Sequence, residues 1–114
     1  MEIKTSTQDG VTIIGISGNL DANTAQQAQD EIMPLVVPDC RLVLDMSQCE
    51  YVSSAGLRLM LMIAKKIKTT EGGEWCLATV SEEIMDVMEM TGFSQFFQTF
   101  DSVSEAIRDL RLET

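Results

Sequence analysis

The sequence contains no histidine. That removes the commonest general base and metal ligand and lowers the expectation of catalysis. No apolar run approaches the roughly 20 residues that cross a bilayer. Met1–Thr5 also lacks the basic-then-apolar pattern of a signal peptide. A cytoplasmic protein with no membrane association is therefore expected. No G-x-x-x-x-G-K-[ST] loop is present to cradle phosphates, so any ATP chemistry must come from another protein. The three cysteines, Cys40, Cys49 and Cys76, cannot all pair, and their spacing matches no zinc pattern. They are expected to be reduced and structural, and neither a metal nor a cofactor is expected.

Positive charge is scarce: 8 Lys and Arg stand against 18 Asp and Glu, for a net charge of −10. A direct nucleic-acid contact would want a basic face, so the charge argues against that partner class. The few cations are unevenly placed. Residues 54–70 hold Arg58, Lys65, Lys66 and Lys68 and no acid, whereas residues 81–114 hold eight acids, Glu113 the last, against Arg108 and Arg111. Lysines near a helix C-terminus are favoured by its dipole, but Arg58 falls in the first turn, where the dipole disfavours a cation.

What is present is an ordinary globular composition, 45% hydrophobic and 23% charged over 114 residues. That is one domain, residues 1–114, large enough for a single core. No repeats, low-complexity segments or linkers divide it. A short acidic chain without a self-association pattern is most simply a monomer.

The patterning predicts alternating strands and helices. Ile3–Thr7 and Val11–Ser17 are strand-like and flank Asp9-Gly10, a hairpin signal. Gly18-Asn19-Leu20-Asp21 ends the second strand. Asn23 or Thr24 then caps a helix through Ala28 and Ile32, with Pro34 near its end. Leu42-Val43-Leu44 reads as a buried strand and residues 45–50 as a polar break of loop length. Ser53 and Ser54 precede a run of helix formers, an N-cap signal that places a serine hydroxyl at the mouth of a helix. In that helix Leu57, Met60, Leu61, Ala64 and Ile67 have the spacing of a buried stripe, with Arg58, Met62, Lys65 and Lys66 opposite. Met62 is either a partly covered surface methionine or a partner contact, since methionine suits adaptable surfaces.

Glu71-Gly72-Gly73-Glu74 ends the helix, and residues 75–78 form a fourth strand. Ser81 caps a helix that stops near Thr91-Gly92. Phe93, Phe96, Phe97 and Phe100 read as core and a short last strand, since no basic residue lies among them to make a base-stacking platform. A final helix from Asp101-Ser102 carries Val103, Ala106, Ile107 and Leu110. The expected fold is α/β: a mixed sheet of four to five strands with an antiparallel opening hairpin, packed against about four helices.

Two segments carry a family resemblance. Leu44-Asp45-Met46-Ser47 followed by Tyr51-Val52-Ser53-Ser54-Ala55-Gly56-Leu57 closely resembles the signature of STAS domains, and more narrowly that of the bacterial anti-sigma factor antagonists. Gly18-Asn19-Leu20-Asp21 looks like the family's second landmark, so the resemblance covers nearly the whole chain. The family's common form is D-S-S/T-G-L, with the serine after the aspartate phosphorylated. By that match Ser54 is the implied phosphoacceptor. Ser53 replaces the aspartate, a departure that leaves no carboxylate beside the acceptor.

The resemblance implies a STAS fold and a partner switch. The unphosphorylated chain would bind an anti-sigma factor that is also a serine kinase, releasing a sigma factor, and a PP2C-type phosphatase would reset it. Asp21, Ser53, Ser54, Arg58 and Met62 are the candidate partner-binding residues. Asp21 and Asp45 are expected at strand ends near Ser54, as ordinary turn residues or as site-lining carboxylates. Two other readings stay open at this point. One is a non-phosphorylated STAS subunit of a transport or signalling complex. The other is a small enzyme or nucleotide-binding protein using Asp21, Asp45 and Ser54.

Overall fold

The structure, a computed structural model, describes residues 1–112 and the side chains of residues 1–110. Glu113 and the side chain of Arg111, counted above in the acidic C-terminal stretch, lie outside the described residues. The chain opens on the expected hairpin. β1 (Glu2–Gln8) and β2 (Val11–Leu20) pair antiparallel, with Gln8 opposite Val11. Asp9 and Gly10 both adopt positive φ, 53° and 79°, the geometry of a two-residue turn whose twist suits the flanking strands. α1 (Ala25–Ile32) runs into a 3-10 turn, Met33–Leu35, at Pro34, which lacks the N–H needed to continue an α-helix.

β3 (Arg41–Val52) then pairs parallel with β2 on one side and with β4 (Glu74–Ala78) on the other. α2 (Ser54–Lys68) connects them. α3 (Glu82–Met90) follows, with Ser81 Oγ accepting the Ile84 N–H at 3.2 Å. A 3-10 turn (Phe93–Phe96), the two-residue β5 (Thr99–Phe100) and α4 (Val103–Leu112) complete the order. The five strands lie in sequence order, β1-β2-β3-β4-β5, and only the β1–β2 pair is antiparallel.

Strand alternation puts successive side chains on opposite faces. On one face Ile14, Ile16, Leu42 and Leu44 pack under Ala28 and Ile32 of α1, Leu57, Met60 and Ile63 of α2, and Ile84 and Met88 of α3. On the other, Val11, Val43, Cys76 and Ala78 meet Ala106, Ile107 and Leu110 of α4. This is a single α/β fold, a mixed five-stranded sheet with three helices over one face and one over the other.

Three local expectations change. Residues 45–50 are not a loop but the middle of β3. Met46, Cys49 and Val52 point into the core, while Ser47, Gln48, Glu50 and Tyr51 are exposed. The register with β2 also shifts twice, between Gly15 and Ser17 and between Gly18 and Asn19. Bulges that break the strict period of two, on a strand solvated on one side, give it the composition of a loop. Likewise β2 continues through Leu20 instead of ending at Gly18. The buried arc of α2 is also wider and turned from the expected stripe. Leu59 and Ile63 are buried along with Leu57, Met60 and Ile67, while Leu61 and Ala64 are only half-buried. The helix has the sheet beneath it and α1 at its flank, so more than one stripe is covered.

Candidate functional site

The C-terminal ends of β2 and β3 meet at the head of α2. Leu20 pairs with Val52, and one residue further on the Ser53 N–H donates to the Leu20 carbonyl at 2.9 Å. Ser53 has extended backbone dihedrals (φ −85°, ψ 178°) and is the N-cap of α2; its Oγ accepts the Gly56 N–H at 3.3 Å. Gly56 is buried against the same strand end. A Cβ there would collide with the Leu20 carbonyl oxygen and stand 3.0 Å from both Leu20 Cγ and Val52 Cγ1. The first turn of α2 is thus held tightly to the sheet by one hydrogen bond and one missing side chain.

Ser54 is the first residue of the helix and is exposed. Among the described residues its hydroxyl has no hydrogen-bond partner. The two adjacent serines therefore have separate duties, with Ser53 capping and Ser54 presented to solvent.

Arg58 and Met62 follow Ser54 at four-residue intervals, so the three share one face of the helix. All three are exposed, Met62 to 43%. Lys65, Lys66 and Lys68 occupy the last turn. Lys66 Nζ donates to the Met33 carbonyl at 3.3 Å. None of these four cations is ion-paired within the described residues, so α2 presents an unneutralised basic face in an acidic chain.

Asp21 is half-buried at the turn from β2 into α1, next to the Ser53 end of β3. Its Oδ1 accepts the Asn23 N–H at 2.9 Å and lies 3.3 Å from Thr24 Oγ1. Thr24 is the N-cap residue of α1, but its side chain accepts no cap hydrogen bond from the helix; its hydroxyl donates to the Asn19 carbonyl at 2.8 Å and accepts the Asp21 N–H at 2.9 Å. The Asp21 carboxylate thus braces its own turn.

Asp45 is not brought to Ser54. It pairs with Gly15 and Ala78 in mid-strand, on the order of 25 Å from Ser53 at about 3.3 Å per residue. Its Oδ1 accepts the Ser47 N–H at 3.0 Å, and it lines a separate shallow polar depression with Lys4, Ser6, Ser17 and Gln48. Asp45 therefore stands apart from Ser54, and the carboxylate next to the Ser53 end of the strand is that of Asp21, held by its own turn.

Two residues were not singled out from the sequence, Tyr51 near Ser54 and Thr79 at the distant Asp45 level of the sheet. Tyr51, 54% exposed, stands three residues before Ser54 on the outward side of β3. Its outward aim follows from strand alternation once Val52 is known to be buried. Thr79, at the C-terminal end of β4, has φ 57°, costly for a β-branched residue. Its N–H donates to the Phe100 carbonyl at 3.0 Å. Nothing in the sequence signals that strain.

Among the described residues no three His, Cys, Asp or Glu side chains gather as metal ligands, and no helix is long and apolar enough to cross a membrane. Cys40, Cys49 and Cys76 are all buried, and no disulfide joins any two of them. Burial pushes the Cys49 thiol above its ordinary value of 9.0, and the Glu50 charge adds to this; interactions with the Tyr51 and Leu20 backbone oppose it.

Comparison with known proteins identifies the family. The STAS domain model matches residues 2–106. BtrV of Bordetella bronchiseptica is 33% identical over 95 residues, covering 82% of this chain and 81% of BtrV. The anti-sigma-F factor antagonist RsfB of Mycobacterium tuberculosis is 26% identical over 105 residues, covering 90% of this chain and 84% of RsfB. The crystal structure of an anti-sigma factor antagonist from Mycobacterium paratuberculosis superposes with a TM-score of 0.85 at 22% identity, over 96% of this chain and 93% of that one. The chain belongs to the STAS domain family and is kin to its anti-sigma factor antagonists.

Proposed function

We propose that this chain is a phosphorylation-controlled binding protein with Ser54 as the acceptor. Unphosphorylated, it binds an anti-sigma factor that is also its serine kinase, and so releases a sigma factor to activate transcription. A PP2C-type phosphatase resets it. It acts in the cytoplasm as a monomer, and it is a substrate and ligand of enzymes rather than one itself. The partner class comes from the named role of relatives such as RsfB. The observation that carries the reading is the division of labour between the two serines. Because Ser53 supplies the cap, the exposed Ser54 hydroxyl can be modified without unmaking the helix.

Phosphate adds about −1.5 to −2 charges at neutral pH. At an exposed helix N-terminus a negative charge is favoured by roughly 0.3–1 kcal/mol. Arg58 lies one turn away, within reach of an i,i+4 pair. The modified chain therefore keeps its fold. In an interface the balance reverses, because burying an uncompensated charge costs several kcal/mol. A loss of about 3 kcal/mol weakens binding more than a hundredfold. The partner surface comprises Ser53, Ser54, Arg58 and Met62, with Asp21 beside them.

The test uses wild type, Ser54→Ala and Ser54→Asp as paired baits in native lysate, followed by measurement with the purified partner. An ATP-binding kinase retained by wild type and Ser54→Ala but lost by Ser54→Asp, with phosphate mapped to Ser54 by mass spectrometry, is the expected result. A membrane or scaffold protein retained equally by all three would instead make the chain a structural STAS subunit.

A further inference from the structure

The far end of α2 carries a second surface that the switch does not use. Lys65 lies eleven residues beyond Ser54, about 16 Å down the axis at 1.5 Å per residue. There the helix, the start of β4 and the 3-10 turn Phe93–Phe96 line an open groove of about 490 Å³. Its apolar lining comes from Ala64, Ile67, Trp75 and Phe96, and Lys65 and Lys68 line it as well. Trp75 is half-buried and is held in place by an edge-on contact with buried Phe97, ring centres 5.6 Å apart. Phe96, by contrast, leaves 54% of its surface in water.

This combination selects its occupant. A volume of this size falls in the range of small-molecule sites, and an exposed phenylalanine beside a fixed indole offers apolar surface to a ligand. Lys65 and Lys68 are exposed and carry no ion pair within the described residues, against the single carboxylate of Glu74 in the lining. Their alkyl stems can lie along the apolar wall while the ammonium groups stay at its rim. The complement is an apolar tail with one negative head. We propose that this groove binds a free medium-chain fatty acid, its alkyl chain on Trp75 and Phe96 and its carboxylate between Lys65 and Lys68.

Trp75 is the only tryptophan of the chain and lines the groove, so its fluorescence reports occupancy. The full chain is titrated with decanoate below its micelle concentration, with decyltrimethylammonium as the opposite-charge control on the same alkyl chain. A saturable shift of Trp75 emission by decanoate alone is expected. Lys65→Glu with Lys68→Glu should weaken decanoate roughly tenfold and admit the cationic amphiphile, since the sign of the rim is inverted. Phe96→Ser should weaken decanoate without changing the charge preference.

Amide shift mapping on the wild-type chain keeps the test independent of variant folding. Perturbations gathered at residues 64–68, 74–75 and 95–96 support the site. Perturbations spread over the surface, equal response to both amphiphiles, or no saturable response overturn it. So would tight binding of a Glu- and Leu-rich peptide to a groove that decanoate does not enter, because the surface would then be a protein-docking site.

Discussion

Ser53 Oγ accepts the Gly56 N–H at 3.3 Å, and this bond decides which of two adjacent serines is available at the head of α2. Losing a serine cap costs about 1 kcal/mol. Ser53→Ala should therefore lower the melting temperature by several degrees. Ser53→Asp should hold it, because aspartate caps as well as serine and its charge suits the helix N-terminus. Thermal unfolding followed by circular dichroism distinguishes them. A Ser53→Ala variant as stable as wild type would mean that Ser54 can take over the cap, and the separation of duties would fail.

Gly56→Ala should destabilise although alanine is the better helix former by about 1 kcal/mol. The added methyl meets the Leu20 carbonyl oxygen and crowds Leu20 Cγ and Val52 Cγ1. That carbonyl cannot move aside freely, since it also accepts the Ser53 N–H. Overpacking against a fixed group costs about 1–3 kcal/mol, and the displaced helix start would carry Ser54 with it. Denaturant unfolding should show a lower midpoint with an unchanged slope. A raised midpoint would show that the joint between β2 and α2 is slack.

These joints show how far the sequence could be read. Asp9-Gly10 announced its turn because only a residue pair tolerating positive φ fits there. Ser81 announced its helix because a cap and two first-turn acids coincide. Residues 45–50 misled because a bulged strand with one wet side has no clean period. That misreading is what put Asp45 near Ser54, since a strand ending at Leu44 would have placed it at the site's rim. At Ser53 and Ser54 local chemistry alone could not say which hydroxyl caps, because either could reach the first-turn amides. The backbone dihedrals decided it. Thr79 carried no signal at all, since nothing in its side chain or neighbours calls for the positive φ it adopts.

Cys49 gives a stability signature at high pH. Its thiol is 4% exposed and its pKa lies above the ordinary 9.0. Below that value the thiol is protonated both folded and unfolded, so its contribution is fully present. As pH rises past 9.0 the unfolded chain ionises first, which favours unfolding, and the contribution is lost as pH climbs through the folded value. Stability should fall by at most about 1.4 kcal/mol per pH unit from this group. The alkaline slope of wild type should exceed that of Cys49→Ala, in which the other titrating groups are unchanged. Iodoacetamide should label Cys49 at pH 8 only after unfolding. Rapid labelling of the native chain would show that this part of β3 opens locally.

Arg58 separates the face of α2 from its fold. The side chain is exposed and unpaired among the described residues, so Arg58→Glu removes no internal contact. An acid in the first turns of a helix is mildly favoured, and stability should stay within about 0.5 kcal/mol of wild type. A partner that docks along Ser54, Arg58 and Met62 meets a reversed charge at the centre of that stripe. Its association rate should fall, and the affinity should drop roughly tenfold or more, with weaker salt dependence. Asp45→Asn, in mid-strand and far from the stripe, should leave the affinity unchanged. Surface plasmon resonance against the purified partner at two salt concentrations reads both variants. If Arg58→Glu bound like wild type while Asp45→Asn weakened, the partner would sit on the open face of the sheet, and the exposure of Ser54 would have no bearing on the complex.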